Sequence, residues 1–244
     1  GDVIGQIANA TVSAWQSFQR GLTLKNISLS RVRHLLVRYS DFPKYSLVPS
    51  LLSAACFMLP VIFINKYYTA QQAGYFDLTK LILSVPLALV AGSFSSVVLN
   101  RASDSFRNGK LFFNELRPLL LMTLAVSVLE ISLITLFGET LFAVFFGKQW
   151  VQSGHIAKLL VWPFALNFIT SSFTSVFVAL NKVVWQSIWQ LFYFLLIMSL
   201  TFLSHLEFHH FIRIYTLFEV ASNISMFILL FVLINKYEHK VRLS

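Results

Sequence analysis

Four ionisable side chains lie inside long apolar runs: Lys80, Glu130, Arg213 and Glu219. A charge at the centre of a membrane span costs about 3 kcal/mol on insertion scales, so each is a functional candidate. Glu130 sits near the middle of Ala-Val-Ser-Val-Leu-Glu-Ile-Ser-Leu, with Ser127 and Ser132 nearby. Two readings stay open for it: a coupling site for a proton or cation, or a neutral acid hydrogen-bonded to a neighbouring helix. Glu219 is also mid-run. Asn223 follows and Arg213 precedes it, read as one helical face, and Ser222 and Ser225 widen the polar stripe. Such a stripe faces a water-filled cavity or a partner helix. Lys80 comes one turn inside its run, just after Asp77. It either snorkels to the interface or offers a point charge to a phosphate, and Arg213, near the end of its run, has the same two options.

Other chemistry is sparse. Cys56 is the single cysteine, which excludes disulfide scaffolds and Cys-based zinc sites, and it reads as a small buried hydrophobe. His205, His209 and His210 cluster in a loop, but no Cys or carboxylate pair completes a metal set, so they read as solvated. No Gly-rich phosphate loop, Ser-His-Asp order or paired carboxylates appear. The expectation is a protein that is not an enzyme, with no bound cofactor or metal.

The elements that must position these charges are membrane helices. The chain has 244 residues, 57% hydrophobic and only 12% charged, with 25 Phe, and a mean hydropathy of +0.71. A soluble domain carries about a quarter charged residues. Six runs are long enough to span a bilayer, near 45–65, 78–100, 118–138, 156–180, 183–204 and 211–235. A shorter, more polar run at 2–18 reads as a seventh, truncated helix. The stretch 139–155 is too short to span and reads as a helix lying at the outer interface. Pro60, Pro86 and Pro163 fall inside or near the ends of spans, where they tend to kink helices.

Charge placement sets an orientation. The net charge is +9, from 19 Lys and Arg against 10 Asp and Glu. Fourteen of those 19 fall at 20–44, 101–117, Lys182 and the tail after 235. These segments share one side if the spans alternate, and the positive-inside rule makes that side, with the C-terminus, cytoplasmic. Tyr67, Tyr68, Tyr75 and Phe76, with Trp150 and Trp162, read as anchors at the opposite interface. No polar basic face or binding motif points to nucleic acid. The fold expected is an all-α polytopic membrane helix bundle, six full spanning helices plus the truncated N-terminal one.

Two segments carry a specific resemblance. Ala73-Gly74-Tyr75-Phe76-Asp77-Leu78-Thr79-Lys80-Leu81 with Ser84-Val85-Pro86 is the first. The second is Phe137-Gly138, Leu141-Phe142, Phe146-Gly147, Trp150 and Gly154, and Arg101-Ala102-Ser103 and Asn108-Gly109-Lys110 lie between. Over about 40–200 the chain resembles the bacterial polysaccharide flippases of the multidrug/oligosaccharidyl-lipid/polysaccharide exporter superfamily. It departs from their pattern at Asn100, where a Pro is often found.

The resemblance implies two lobes of six helices around a cavity that opens alternately to each side. Residues 1–19 would be the last helix of a missing first lobe, 20–44 a basic cytoplasmic linker, 45–235 the second lobe and 236–244 a cytoplasmic tail. A complete transporter would then need the missing lobe. The implied function is flipping of undecaprenyl-diphosphate-linked oligosaccharide units across the bacterial inner membrane for O-antigen or capsule, beside the polysaccharide polymerase machinery. A small-molecule exporter of the same superfamily and an integral-membrane polymerase or ligase are the alternatives. Lys80 and Arg213 are then candidates for binding the diphosphate, and Glu130 and Glu219 for coupling to a proton or sodium gradient. Those four roles follow from charge and burial, not from the family.

Overall fold

The computed structural model describes residues 47–243 and, before them, residues 5, 11–13, 15, 16 and 19. The chain divides into two units, Gly1–Lys44 and Tyr45–Ser244. The truncated helix expected at 1–19 and the basic linker expected at 20–44 fall in the first unit. Apart from those few positions, which are helical, they lie outside the described residues.

The described part of the second unit comprises α1 (Val48–Tyr67), α2 (Ala70–Arg107), α3 (Phe112–Phe146), α4 (Val151–Phe173), α5 (Ser175–Ala179), α6 (Val183–Met198) and α7 (Phe208–Leu243). Short 3₁₀ turns at Lys148–Trp150 and Ser199–Leu203 adjoin α4 and α6. No strand occurs among the described residues. With the turns and α5 joined to their neighbours, six helical stretches are long and apolar enough to cross a membrane. Their outer faces carry exposed Leu89, Leu129, Leu136, Val144 and Phe145, as lipid-facing surfaces do. The protein is a multi-pass, all-α membrane helix bundle.

Several boundaries differ from the sequence reading. Helices α2 and α3 outrun the spans expected at 78–100 and 118–138, because hydropathy marks only the part of a helix in lipid. The backbone continues until a cap stops it. Thr69 starts α2 through a capping box with Gln72. Gly109 ends it: at φ +60° it lets the Lys110 N–H reach Ser105 O at 2.8 Å, the longer bond of a Schellman motif. At 38 residues, α2 is about 57 Å long against a hydrocarbon core of about 30 Å. The basic stretch 101–107 is therefore helix, not loop. Asn181, at φ 53°, closes α5 in the same way, with the Lys182 N–H on Phe177 O at 2.7 Å.

The interfacial helix expected at 139–155 does not form. Residues 139–146 complete α3, Gly147 breaks the chain at φ +98°, and the Lys148–Trp150 turn leads into α4. Phe76 is not an interface anchor either. It is fully buried and packs edge-on against Tyr215 at 5.4 Å.

Helix α4 is the central post. Within its span 61% of the apolar window is buried, against 17% to 28% for the other five. It packs on α2, α3 and α7. Small residues allow this. Gly154 lies so close to α3 that an added Cβ would stand 2.6 Å from Glu139 Cα. Side-chain hydroxyls then bond across: Thr79 Oγ1 donates to Ser153 O at 2.9 Å, and Ser153 Oγ to Tyr75 O at 3.1 Å. Ser127 Oγ donates to Ala165 O at 3.2 Å, so this serine ties α3 to α4.

Replacing Gly154 by Ala should push α3 and α4 apart, costing about 1–3 kcal/mol as overpacking does. Gly74→Ala, where the added carbon meets nothing within 4 Å, should be neutral or slightly stabilising. Thermal unfolding midpoints of both variants in detergent test this; equal midpoints would contradict the close α3–α4 contact.

Candidate functional site

One face of α2 lines a cavity. Lys80, Ser84, Ala88, Ala91 and Ser95 recur at steps of three or four residues, with Leu87 and Gly92 beside them, and present a mostly small and polar stripe about 22 Å long. Because these side chains are short, the surrounding helices enclose a space of about 460 Å³. Glu219 and Tyr215 face it from α7, Tyr193 from α6, Asn167 and Phe164 from α4, and Cys56 and Phe57 from α1. Volumes of about 300–1,000 Å³ are usual for small-molecule sites.

Lys80 is only 4% exposed. Its Nζ donates to Phe57 O at 2.7 Å and sits 3.9 Å from the centre of the Phe57 ring. Asp77 Oδ1 lies 3.5 Å away. The lysine therefore does not snorkel to the interface. It is held at the cavity wall by the Phe57 carbonyl of α1.

Glu219 is likewise buried. The Tyr193 hydroxyl donates to its Oε1 at 2.5 Å, and Tyr215 lies one turn before it on α7. Lys80 and Glu219 line the same cavity. They do not form an ion pair: the carboxylate within 4 Å of Lys80 is Asp77.

The polar stripe beyond Glu219 turns from the cavity into the interface with α4. Thr170 Oγ1 donates to Asn223 Oδ1 at 3.0 Å, and Asn223 Nδ2 donates to Glu219 O at 2.8 Å. On the other flank, Trp189 Nε1 donates to Ser225 Oγ at 2.9 Å. Both readings of the stripe hold, for different residues: Glu219 lines the cavity and Asn223 joins helices.

The other two candidates stand apart. Arg213 is exposed and does not line the cavity. Six residues at 100° each place it about 120° around the helix from Glu219, so the shared face expected for the pair does not exist. Glu130 is half-buried on α3 and does not line the cavity either. Its Oε2 is buried, with no hydrogen-bond partner among the described residues.

Sequence reasoning passed over Cys56, Tyr193, Tyr215 and the α2 stripe. The stripe was legible as a small-residue period in an otherwise bulky helix, and Tyr215 as the residue one turn before Glu219. Nothing local marks Tyr193, which meets Glu219 only through packing of α6 on α7. Together these groups can hold an anion at Lys80, offer hydroxyls and amides to a polar ligand, and present Phe57 and Phe164 as apolar walls.

The single cysteine reports on the cavity. Cys56 is 2% exposed, and Gln190 Nε2 lies 3.8 Å from its sulfur. N-ethylmaleimide should modify it ~10-fold or more slowly than free cysteine, as buried thiols are inert. Lys80→Ala, which opens the wall, should speed the labelling several-fold. Mass spectrometry of timed samples measures both, and fast labelling of the unaltered chain would mean the cavity is not closed over this residue.

A family model described as polysaccharide biosynthesis protein matches residues 1–155. The matched region holds both segments that carry the resemblance, 73–86 and 137–154, and contributes Cys56, Phe57 and Lys80 to the cavity. No curated protein matches, and no solved structure does. Since the matched region covers more than half of the chain, the protein belongs to the polysaccharide biosynthesis protein family.

Proposed function

We propose that the protein flips undecaprenyl-diphosphate-linked oligosaccharide repeat units across the bacterial inner membrane, for O-antigen or capsule synthesis, by alternating access. The observation that carries this reading is the buried pair of opposite charges, Lys80 and Glu219, on the wall of a cavity inside a lipid-facing bundle. Family membership supports it, since it supplies the polysaccharide context. A diphosphate crossing hydrocarbon must be offered a cation and hydrogen-bond donors in place of water. Lys80 supplies the cation, while Ser84, Ser95 and Asn167 supply polar contacts for sugar hydroxyls.

Glu219 is the coupling group in this reading, taking up a proton or sodium ion as the cavity changes sides. Glu130 is a second coupling candidate because its Oε2 lacks a hydrogen-bond partner among the described residues. Arg213, outside the cavity and near the start of α7, has no part in binding the diphosphate in this reading. The protein acts without enzymatic chemistry and without a bound cofactor, as one lobe of a two-lobe transporter whose C-terminus is cytoplasmic.

A second reading has one observation in its favour. With Arg213 outside, the cavity holds a single buried cation and a single buried acid between aromatic walls. That suits export of a small amphipathic molecule as well as a diphosphate.

Deleting the gene in its host should make lipid-linked repeat units accumulate on the cytoplasmic leaflet. No accumulation would remove the flippase reading and leave the exporter. Complementation with Lys80→Gln or Glu130→Gln should restore surface polysaccharide less well than the unaltered gene. Restoration to the unaltered level by both would remove the roles assigned to those residues.

A further inference from the structure

A second concave site lies away from the cavity, where the first turns of α3 meet the last turns of α7. Its floor is Leu116, Phe173 and Leu230, all buried. Its walls are Phe113, Phe227 and Phe231, which stand 43% to 54% exposed. Arg117 and Asn235 border it chiefly through their carbon atoms, with almost no polar surface facing the groove itself. No carboxylate lies within ion-pair distance of Arg117 among the described residues, and none lines the groove.

The surroundings fix which end of the bundle this is. The Glu238 carboxylate accepts from the Phe113 N–H at 2.7 Å, and Tyr237 packs on Phe112 at 4.3 Å between ring centres. Tyr237 OH also reaches Ser105 O and Lys110 O. The α2–α3 connection and the end of α7 are thus clamped together, and they carry Arg101, Arg107, Lys110, Lys236, Lys240 and Arg242. From Asn235 to Phe227 the groove follows α7 for eight residues, about 12 Å. Half of a 30 Å hydrocarbon core is about 15 Å.

We propose that this groove binds one anionic glycerophospholipid, its phosphate against Arg117 and one acyl chain laid between α3 and α7 toward Phe173 and Phe227. Three features select this occupant. The groove opens on a lipid-facing surface, its depth matches one leaflet, and its mouth is a cation without a counter-charge at the most basic end of the bundle. Basic sites between membrane helices recognise anionic headgroups in this way. The inference needs only the membrane fold and is independent of the flippase reading.

The full chain in detergent, titrated separately with phosphatidylglycerol and phosphatidylcholine and examined by native mass spectrometry, tests it. The first phosphatidylglycerol should bind about fivefold more tightly at low salt, the contribution of one cation near the surface. Arg117→Gln should abolish the preference while leaving the thermal midpoint unchanged, and Arg117→Lys should keep most of it. Phe231→Ala should weaken both lipids alike. Glycerol phosphate, a headgroup without chains, should not compete. Equal binding of the two lipids, an unaltered preference in Arg117→Gln, or competition by glycerol phosphate would each overturn the proposal. Displacement by equimolar undecaprenyl phosphate would overturn it as well, making the groove a seat for an isoprenoid chain.

Discussion

Apolar helices gain little by leaving lipid for one another, since lipid tails are as apolar as leucine. Something else must hold α4 at the centre of this bundle, and the structure shows two means. One is close backbone approach, where Gly154 admits Glu139 of α3 to a distance that no side chain allows. The other is a set of hydroxyl-to-carbonyl bonds, Thr79 and Ser153 toward α2 and Ser127 toward α3. The cavity depends on this post. With α4 fixed against α2 at the Ser153 level and again where Phe168 and Ile169 meet Leu87 and Ala91, the short side chains on the neighbouring face of α2 leave space between α2, α4, α6 and α7.

The segments that carry the family resemblance make sense in the same terms. Tyr75 and Trp150 come from separate segments of the sequence and meet edge-on at 5.7 Å, while Tyr75 O accepts from both Thr79 and Ser153. Phe142 is buried within the same core, close to the Gly138–Gly154 crossing. Most of these residues are packing residues. They set the position of α2 against α4, and α2 carries Lys80. A family signature made of aromatics and glycines is thus a description of how the cavity wall is built, with the charge riding on it.

Much of the fold was legible because lipid imposes a blunt rule: every backbone polar group must be satisfied within a helix, so long apolar runs can hardly be anything else. All six spans could be found on that basis. Their ends could not, since capping by Thr69–Gln72 or Gly109 acts outside the apolar stretch that hydropathy detects. The segment 139–155 shows the same limit, its apolar start being the end of α3. For the site, the cost of burying charge picked out Lys80 and Glu219 as residues to explain, but it left Lys80 open between the interface and an inward position, and the structure puts it at the cavity wall. That cost could not tell that Arg213 faces outward, a matter of helical phase, nor that Tyr193 from α6 would be the partner of Glu219. That contact spans 26 positions and has no local trace.

The two cavity charges could have neutralised each other directly, and the structure keeps them apart. Lys80 is satisfied by a backbone carbonyl, an aromatic face and a partly solvated aspartate. Glu219 is satisfied by a tyrosine hydroxyl. Breaking a buried ion pair by removing one partner costs about 3–5 kcal/mol, because it strands a charge. A site closed by such a pair would resist any ligand that had to separate it. Here each charge keeps a partner that does not depend on the other. An anion can approach Lys80, or a cation Glu219, without first stripping the opposite charge. Filling either one changes the field felt by the other across the cavity.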